Sequence, residues 1–454
     1  MTRKPRSKPD PLEHQIELAL DPGAFIPDRA CFSFVCGLEE VAGRIAELTT
    51  TEPARAIALH ETFLAGCYEK AEELDDSSGS FGQFVDQLFC GWIKARQAAG
   101  ADPGETAVRL LACMDDDPYG FCYHLERDVA KAFDKAGSAA FEKQVRARFA
   151  AAVTPEPAPG GPHRDRSEHL RRRWGQVLRT LYLEQKNVAA YVALAEETGL
   201  TAPDCHAIAT LLVTRRKPEE ALAWVERGIA LDETTSRGAM AGYELARLKR
   251  NLLVKLGRED EAIEAAWADF RTYPSKYRYD DLMKFVPRAQ RPSWHEKAIE
   301  AASGADLRSL IKLLLETKET ERLADLVRQS KDAALERLSH YTTEPAAKKL
   351  EKAHADVAAR LWRAQGMRIV NAKKSKYYDA ALSNFERAMR CCERAGLTAE
   401  WEKTVSQVRA AHHRKTGFMT GFEELVAGSG PSDKPSFRER AKAHWGGRHG
   451  GSDP

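Results

Sequence analysis

The sequence has no apolar run near the ~18 residues that a membrane-spanning helix needs, and the leucine-rich LIKLLL at Leu310–Leu315 contains a lysine. The basic start MTRKPRSKPDP runs into LEHQIELAL, whose two acids and a histidine exclude the apolar stretch of a secretory signal. The expectation is a soluble, cytoplasmic chain with no membrane partner. A dominant charge is lacking too: Lys+Arg 69 against Asp+Glu 67 give a formal charge of +2, so any electrostatic function must be local. Asn-Gly and Asp-Gly hairpin signals are absent and strict apolar/polar alternation is scarce, which argues against a β-rich fold.

The signatures of chemistry are missing as well. There is no GxGxxG, GxxxxGK[ST] or GxSxG, and the nine cysteines and thirteen histidines contain no CxxC, HxxxH or HExxH. Zinc needs four convergent ligands, usually in two short-spaced pairs. Cys205–His206 and His412–His413 are adjacent residues, which point in different directions on a helix. A vicinal disulfide at Cys391–Cys392 would need a strained turn inside a good helix pattern. The odd number of cysteines and their mostly apolar neighbours (LFCGW, LLACM) suit buried free thiols rather than a disulfide framework. No metal, cofactor or catalytic set is expected, and the chain is taken as non-enzymatic.

What is present is length and helical pattern. The 454 residues allow two or three domains, at roughly 100–200 residues each. With 43% hydrophobic and 30% charged residues, the chain can bury real cores. VTPEPAPGGPHRD, Val153–Asp165, is dense in proline and glycine and predicts a linker over 151–165. The basic, Gly/Ser/Pro-rich ends, 1–11 and 427–454, are expected to be disordered. That leaves an N-terminal helical domain, 12–150, and a second helical block, 166–426. In the first, VAGRIAEL, ARAIALHETFLAGCYEKAEEL, FGQFVDQLFCGWIKARQAA, GETAVRLLACM and HLERDVAKAFDKAG each carry a one-faced apolar stripe. Short polar or Gly/Pro breaks separate them.

The second block repeats a pattern. KPEEALAWVERGIALD places Ala221, Val225 and Gly228 at i, i+4, i+7; REDEAIEAAWADFRTYP places Ala262, Ala266 and Asp269 there; YDAALSNFERAMRCC places Ala381, Phe385 and Ala388 there. Small residues at two of three positions let a neighbouring helix approach closely, a spacing that resembles the second helix of a tetratricopeptide repeat. The unit starts are unevenly spaced, so the fold class expected is all-α, an N-terminal helical domain followed by a degenerate tetratricopeptide-like helical-hairpin solenoid.

EELDDSSGSFGQFVDQL (Glu72–Leu88), ADPGETAVRLL and the run from EEALAWVERGI through GREDEAIEAAWADFRTYPS to AAHHRKTGFM resemble a bacterial helical region of unknown function. That region often follows a SWIM-type zinc finger, and the resemblance covers most of 12–425. A SWIM finger carries Cys-x-Cys followed by Cys-x-His; this chain has no Cys-x-Cys, and without that pair Cys122-x-His124 leaves the four-ligand set incomplete. The resemblance therefore implies a finger-bearing polypeptide only as a separate partner.

Two acidic loops invite a metal. Counting from Asp75, DDSSGS puts Ser80 where a calcium loop requires glycine and Asp86 where it requires glutamate, so helix capping explains it better. MDDDPYG reads as a turn before Pro118. The basic clusters RDRSEHLRRRW, RIVNAKKSKYY and AAHHRKTGF supply candidate contacts to a nucleic acid or an acidic partner: Arg171, Arg172, Arg173, Lys373, Lys374, Lys376, Arg414 and Lys415, with FRERAKAHWGGRH in the tail. Trp174, Val177, Leu178 and Leu181 equally form a helix stripe with the arginines as its solvated face. The function expected is a protein-protein or peptide-binding scaffold built on a helical-repeat surface. The alternative is a nucleic-acid-associated protein using the basic clusters.

Overall fold

The computed structural model describes residues 10–122, 124–152, 162–235 and 239–428. Among them the chain is all-α: twenty-three α-helices, four short 3-10 turns and no strand. One isolated parallel bridge joins Ile26 to Leu74. Of the ends expected to be disordered, 1–9 and 429–454, with the basic tail contacts, lie outside the described residues, whereas Asp10 and Pro11 are ordered as the cap and first residue of Pro11–Leu20. No helix of the described residues is long and apolar enough to cross a membrane.

The polar breaks start the helices. Asp102 accepts from the Glu105 amide at 2.7 Å and opens Pro103–Asp115. Thr201 and Asp204 form a reciprocal capping box at Ala202–Thr214, and Asp10 with Glu13 does the same at Pro11–Leu20. Each cap satisfies a helix N–H that has no partner inside the helix. HLERDVAKAFDKAG, expected as one helix, is two. Leu125–Ala132 stops at Phe133, whose backbone is extended, and Asp134 restarts the chain by accepting from the Gly137 amide at 2.7 Å.

The chain forms two compact units, Met1–Leu256 and Gly257–Pro454. The linker expected at 151–165 lies inside the first. Residues 153–161 are outside the described set, and the helix Pro162–Glu184 already includes the last four positions of that stretch. This helix packs on Lys135–Ala151, with Trp174, Val177, Leu178 and Leu181 all buried. The apolar stripe of RDRSEHLRRRW and the residues after it is thus used for packing.

Within each unit, the principal helix–helix packing among the described residues joins helices no more than three apart in chain order. Near-neighbour stacking of this kind is the mark of helical-repeat arrays. The small residues sit where the spacing places them. Ala221 and Val225 are fully buried, and a Cβ added at Gly228 would meet the Cys205 Cβ at 2.7 Å and the Leu245 Cδ1 at 2.9 Å. Helix Pro218–Thr235 is thereby wedged between Ala202–Thr214 and Ala239–Lys255. Ala262 and Ala266 are buried in the second unit, whereas Asp269 at the third position is half-buried and accepts from Arg278 Nε at 3.1 Å. The nine thiols are unpaired, but LLACM misleads: Cys113 is exposed.

In the second unit, Ala355–Asn371 and Tyr378–Ala395 form the tightest hairpin. An added Cβ at Gly366 would lie 2.7–2.9 Å from three ring atoms of Phe385. Phe385 is fully buried, with the Phe422 ring at 5.2 Å and Phe418 at 6.0 Å between centroids. Gly366→Ala gains about 1 kcal/mol of helix propensity, but overpacking a ring that cannot retreat costs about 1–3 kcal/mol. We expect a lowered Tm for Gly366→Ala, recovered in Gly366→Ala/Phe385→Leu. Equal or higher Tm for the single variant would show that the ring has room.

Two titratable groups in the first unit oppose each other. His60 is 2% exposed, lies against Gly91, and neither ring nitrogen has a hydrogen-bond partner. Burial lowers its pKa from 6.5 to about 4. Between those values the unfolded chain binds the extra proton, so the neutral ring's contribution is complete above pH 6.5 and lost as pH falls toward 4. Its ceiling is about 3 kcal/mol. Asp86 goes the other way: burial first, then Asp128, Glu126 and Asp117, raise it from 3.8 to about 7. There the folded state holds the proton, and its contribution is complete below 3.8 and lost as pH rises through about 7. Thermal unfolding followed across this range should show His60→Leu losing less stability on the acid side than the parent chain, and Asp86→Asn losing less on the neutral side. Curves parallel to the parent's would refute both assignments.

Candidate functional site

The basic candidates are largely occupied within the fold. Arg171 stacks on Phe149, its guanidinium 4.1 Å from the ring centroid, donates to the Phe149 carbonyl at 3.5 Å and pairs with Glu197 at 3.1 Å. Arg173 donates to the Met114 carbonyl and lies 5.0 Å from the Trp174 ring. Arg172 is exposed and pairs with Glu168 four residues earlier. The three arginines therefore do not present three cations on one face. In the second unit, Lys415 donates to the Val370 carbonyl, and burial followed by Lys373 lowers its proton affinity. Lys376 lies 4.9 Å from the Tyr377 ring, and Lys373, Lys374 and Arg414 are exposed. Several of these cations cap the carbonyl end of a neighbouring helix, where they also meet the negative end of its dipole.

Lys374 alone of the candidates lines a groove of about 780 Å³ in the second unit. Three helices build it by their spacing. From Ala355–Asn371 and its C-cap come Trp362, Gln365, Ile369 and Ala372, at i, i+3, i+7, i+10; from Tyr378–Ala395 come Ala380, Ser383, Asn384 and Arg387. His340–Leu350 adds His340, Tyr341 and Glu344. Each set is a single face of its helix. Small residues at Ala372, Ala380 and Ser383 leave the space open.

The groove has an aromatic rim and a polar floor. Tyr341 is 75% exposed and Tyr377 46%, whereas Trp362 is buried with its indole N–H donating to Glu351 at 2.7 Å. The Arg387 guanidinium sits 4.6 Å from the Trp362 ring centroid, held over the ring face. Gln365 is 5% exposed, and its Nε2 has no hydrogen-bond partner. Glu344 pairs with Lys348 at 2.7 Å; that bond, chiefly, holds its carboxyl below the usual range. Among the described residues Arg368, Lys374 and Arg387 line the groove with no carboxylate in ion-pair range.

Spacing around the basic cluster points to Lys374 but passes over Tyr341, Trp362, Gln365 and Arg387. The one available signal is Gln365, a polar residue on an otherwise apolar helix stripe.

The model of a family of unknown function, DUF6880, matches residues 24–420. The chain belongs to this family. No curated protein matches the sequence. Among solved structures, one described as "Circular tandem repeat protein with novel repeat topology and enhanced subunit contact surfaces" shares 12% identity over 92% of this chain and 97% of its own. Its TM-score is 0.19, and a likeness that slight carries no argument.

Membership of a family without an assigned activity leaves chemistry to the side chains. Asp76 accepts from the Phe81 and Gly82 amides, both at 2.9 Å, and Asp117 from the Phe121 and Cys122 amides at 3.1 and 2.7 Å. The acidic loops thus spend their carboxylates on backbone N–H groups. No group of three or more His, Cys, Asp or Glu side chains among the described residues is placed to hold a metal ion. One relay escapes sequence reasoning: Tyr279 Oη lies 2.8 Å from His295 Nδ1, whose Nε2 lies 3.0 Å from Glu319. The three residues belong to separate helices or caps. Burial, then Asp280 and Glu319, raise the Tyr279 pKa, and the hydrogen bonds link Lys276–Phe285, Arg291–Ala301 and the start of Thr320–Gln329.

Proposed function

We propose that this chain is a non-enzymatic helical-repeat scaffold that docks a partner polypeptide in the groove of its second unit. The observation that carries this reading is the pair of exposed tyrosines, Tyr341 and Tyr377, on the rim of a groove lined from three helices. Exposed aromatic rings supply large contact area at little cost in conformational entropy, and residues of this kind dominate binding energy at protein interfaces. The resemblance to regions that follow a SWIM-type finger makes a zinc-finger-bearing polypeptide one candidate partner. The nucleic-acid alternative draws less support, because Arg171 and Arg173 are bonded within the fold.

The test is recovery of partners on the tagged full chain from its native host, with nuclease, for the parent and for Tyr341→Ala/Tyr377→Ala. A defined protein retained through nuclease treatment and lost from the double variant is expected. Recovery that vanishes with nuclease, or that is equal for parent and variant, would overturn the reading.

A further inference from the structure

We infer that the groove selects an acidic polypeptide segment, whose carboxylates meet Arg368, Lys374 and Arg387 and whose backbone carbonyl receives the Gln365 amide. This rests on the reading of the groove as a peptide site and adds the chemistry of the occupant.

Charge complementarity is the first support. Several other arginines of the second unit are paired: Arg328 with Asp325 and Asp356, Arg360 with Asp332, and Arg409 with Glu423. Arg368, Lys374 and Arg387 have no such partner among the described residues, yet they come from two helices and the turn between them to line one groove. The groove's own carboxylate, Glu344, pairs with Lys348 and is also within electrostatic reach of Arg387. Stacking on Trp362 holds the Arg387 guanidinium by its face and leaves its N–H edge free for a bidentate carboxylate.

The second support is Gln365. A buried amide donor without a partner costs folding free energy, and the cost is relieved when a ligand supplies an acceptor. Because Gln365 lines the groove, an occupant can supply one. Asn384 and Ser383 add amide and hydroxyl groups along the opposite wall. Amide and hydroxyl groups suit the alternating donors and acceptors of a peptide backbone. A phosphate backbone offers acceptors only.

The experiment is fluorescence anisotropy on the full chain, using a labelled Glu-rich peptide with one central aromatic residue. Its Lys-rich counterpart, an uncharged Ser/Leu peptide and an oligothymidylate serve as comparison probes. The Glu-rich probe should bind tightest and weaken with salt. Arg368→Glu and Arg387→Gln should each lower its affinity about tenfold, a loss of ~1.4 kcal/mol. Gln365→Met should weaken binding several-fold while raising the Tm of the free protein, because it removes the unpaired donor. A folding defect would lower both, so the opposite signs separate ligand recognition from damage to the core. If the uncharged peptide binds tightest and Tyr341→Ala/Tyr377→Ala abolishes it, the acidic class fails and the peptide site stands. If the oligothymidylate binds tightest and its binding falls with Arg368→Glu, both fail. Binding of the Glu-rich probe that is unchanged in all three groove variants also overturns the inference.

Discussion

Helix Tyr378–Ala395 reaches helix Ala355–Asn371 at Gly366, where the Phe385 ring lies against a residue with no side chain. The rest of the groove depends on that approach. Ala381, Phe385 and Ala388 are consumed in the contact, which turns the adjoining stripe, with Ala380, Ser383, Asn384 and Arg387, toward the open side. One helix therefore packs with one stripe and lines a site with the next. The division works because each helix is one-faced and must bury that face on its neighbours.

Close stacking leaves many helix ends near other helices, and the cations answer them. Arg360 donates to the Val327, Arg328 and Ser330 carbonyls at 2.6–2.8 Å, closing the end of Thr320–Gln329. Arg171, Arg173 and Lys415 do the same at the ends of Lys135–Ala151, Pro103–Asp115 and Ala355–Asn371. The last four carbonyls of a helix lack partners within it, so a guanidinium or ammonium from the next repeat satisfies them and meets the favourable end of the dipole. These four cations of a near-neutral chain are thereby structural. Arg368, Lys374 and Arg387 stand out because they line one groove.

The architecture was legible because helical period, caps and small residues are local. Ala221, Val225 and Gly228 announced a packing face from their spacing alone, with Ala221 and Val225 buried. The candidate site was legible only in Lys374. RRRW was ambiguous because the same letters serve as a solvated face, a phosphate contact or a set of carbonyl caps. Which one holds depends on whether another helix end lies within reach. HLERDVAKAFDKAG failed for a related reason: its apolar period runs on through a break that Asp134 makes with one hydrogen bond.

By itself the sequence determined that the chain is helical, where most helices begin, and which faces they bury, since each follows from residues within a turn or two of one another. Only the tertiary structure decided where the chain divides, which cations are spent on helix ends, and that Tyr341, Gln365 and Arg387 share one groove. Those outcomes depend on distances between helices separated by a turn and a full helix length, and no spacing along the chain encodes them.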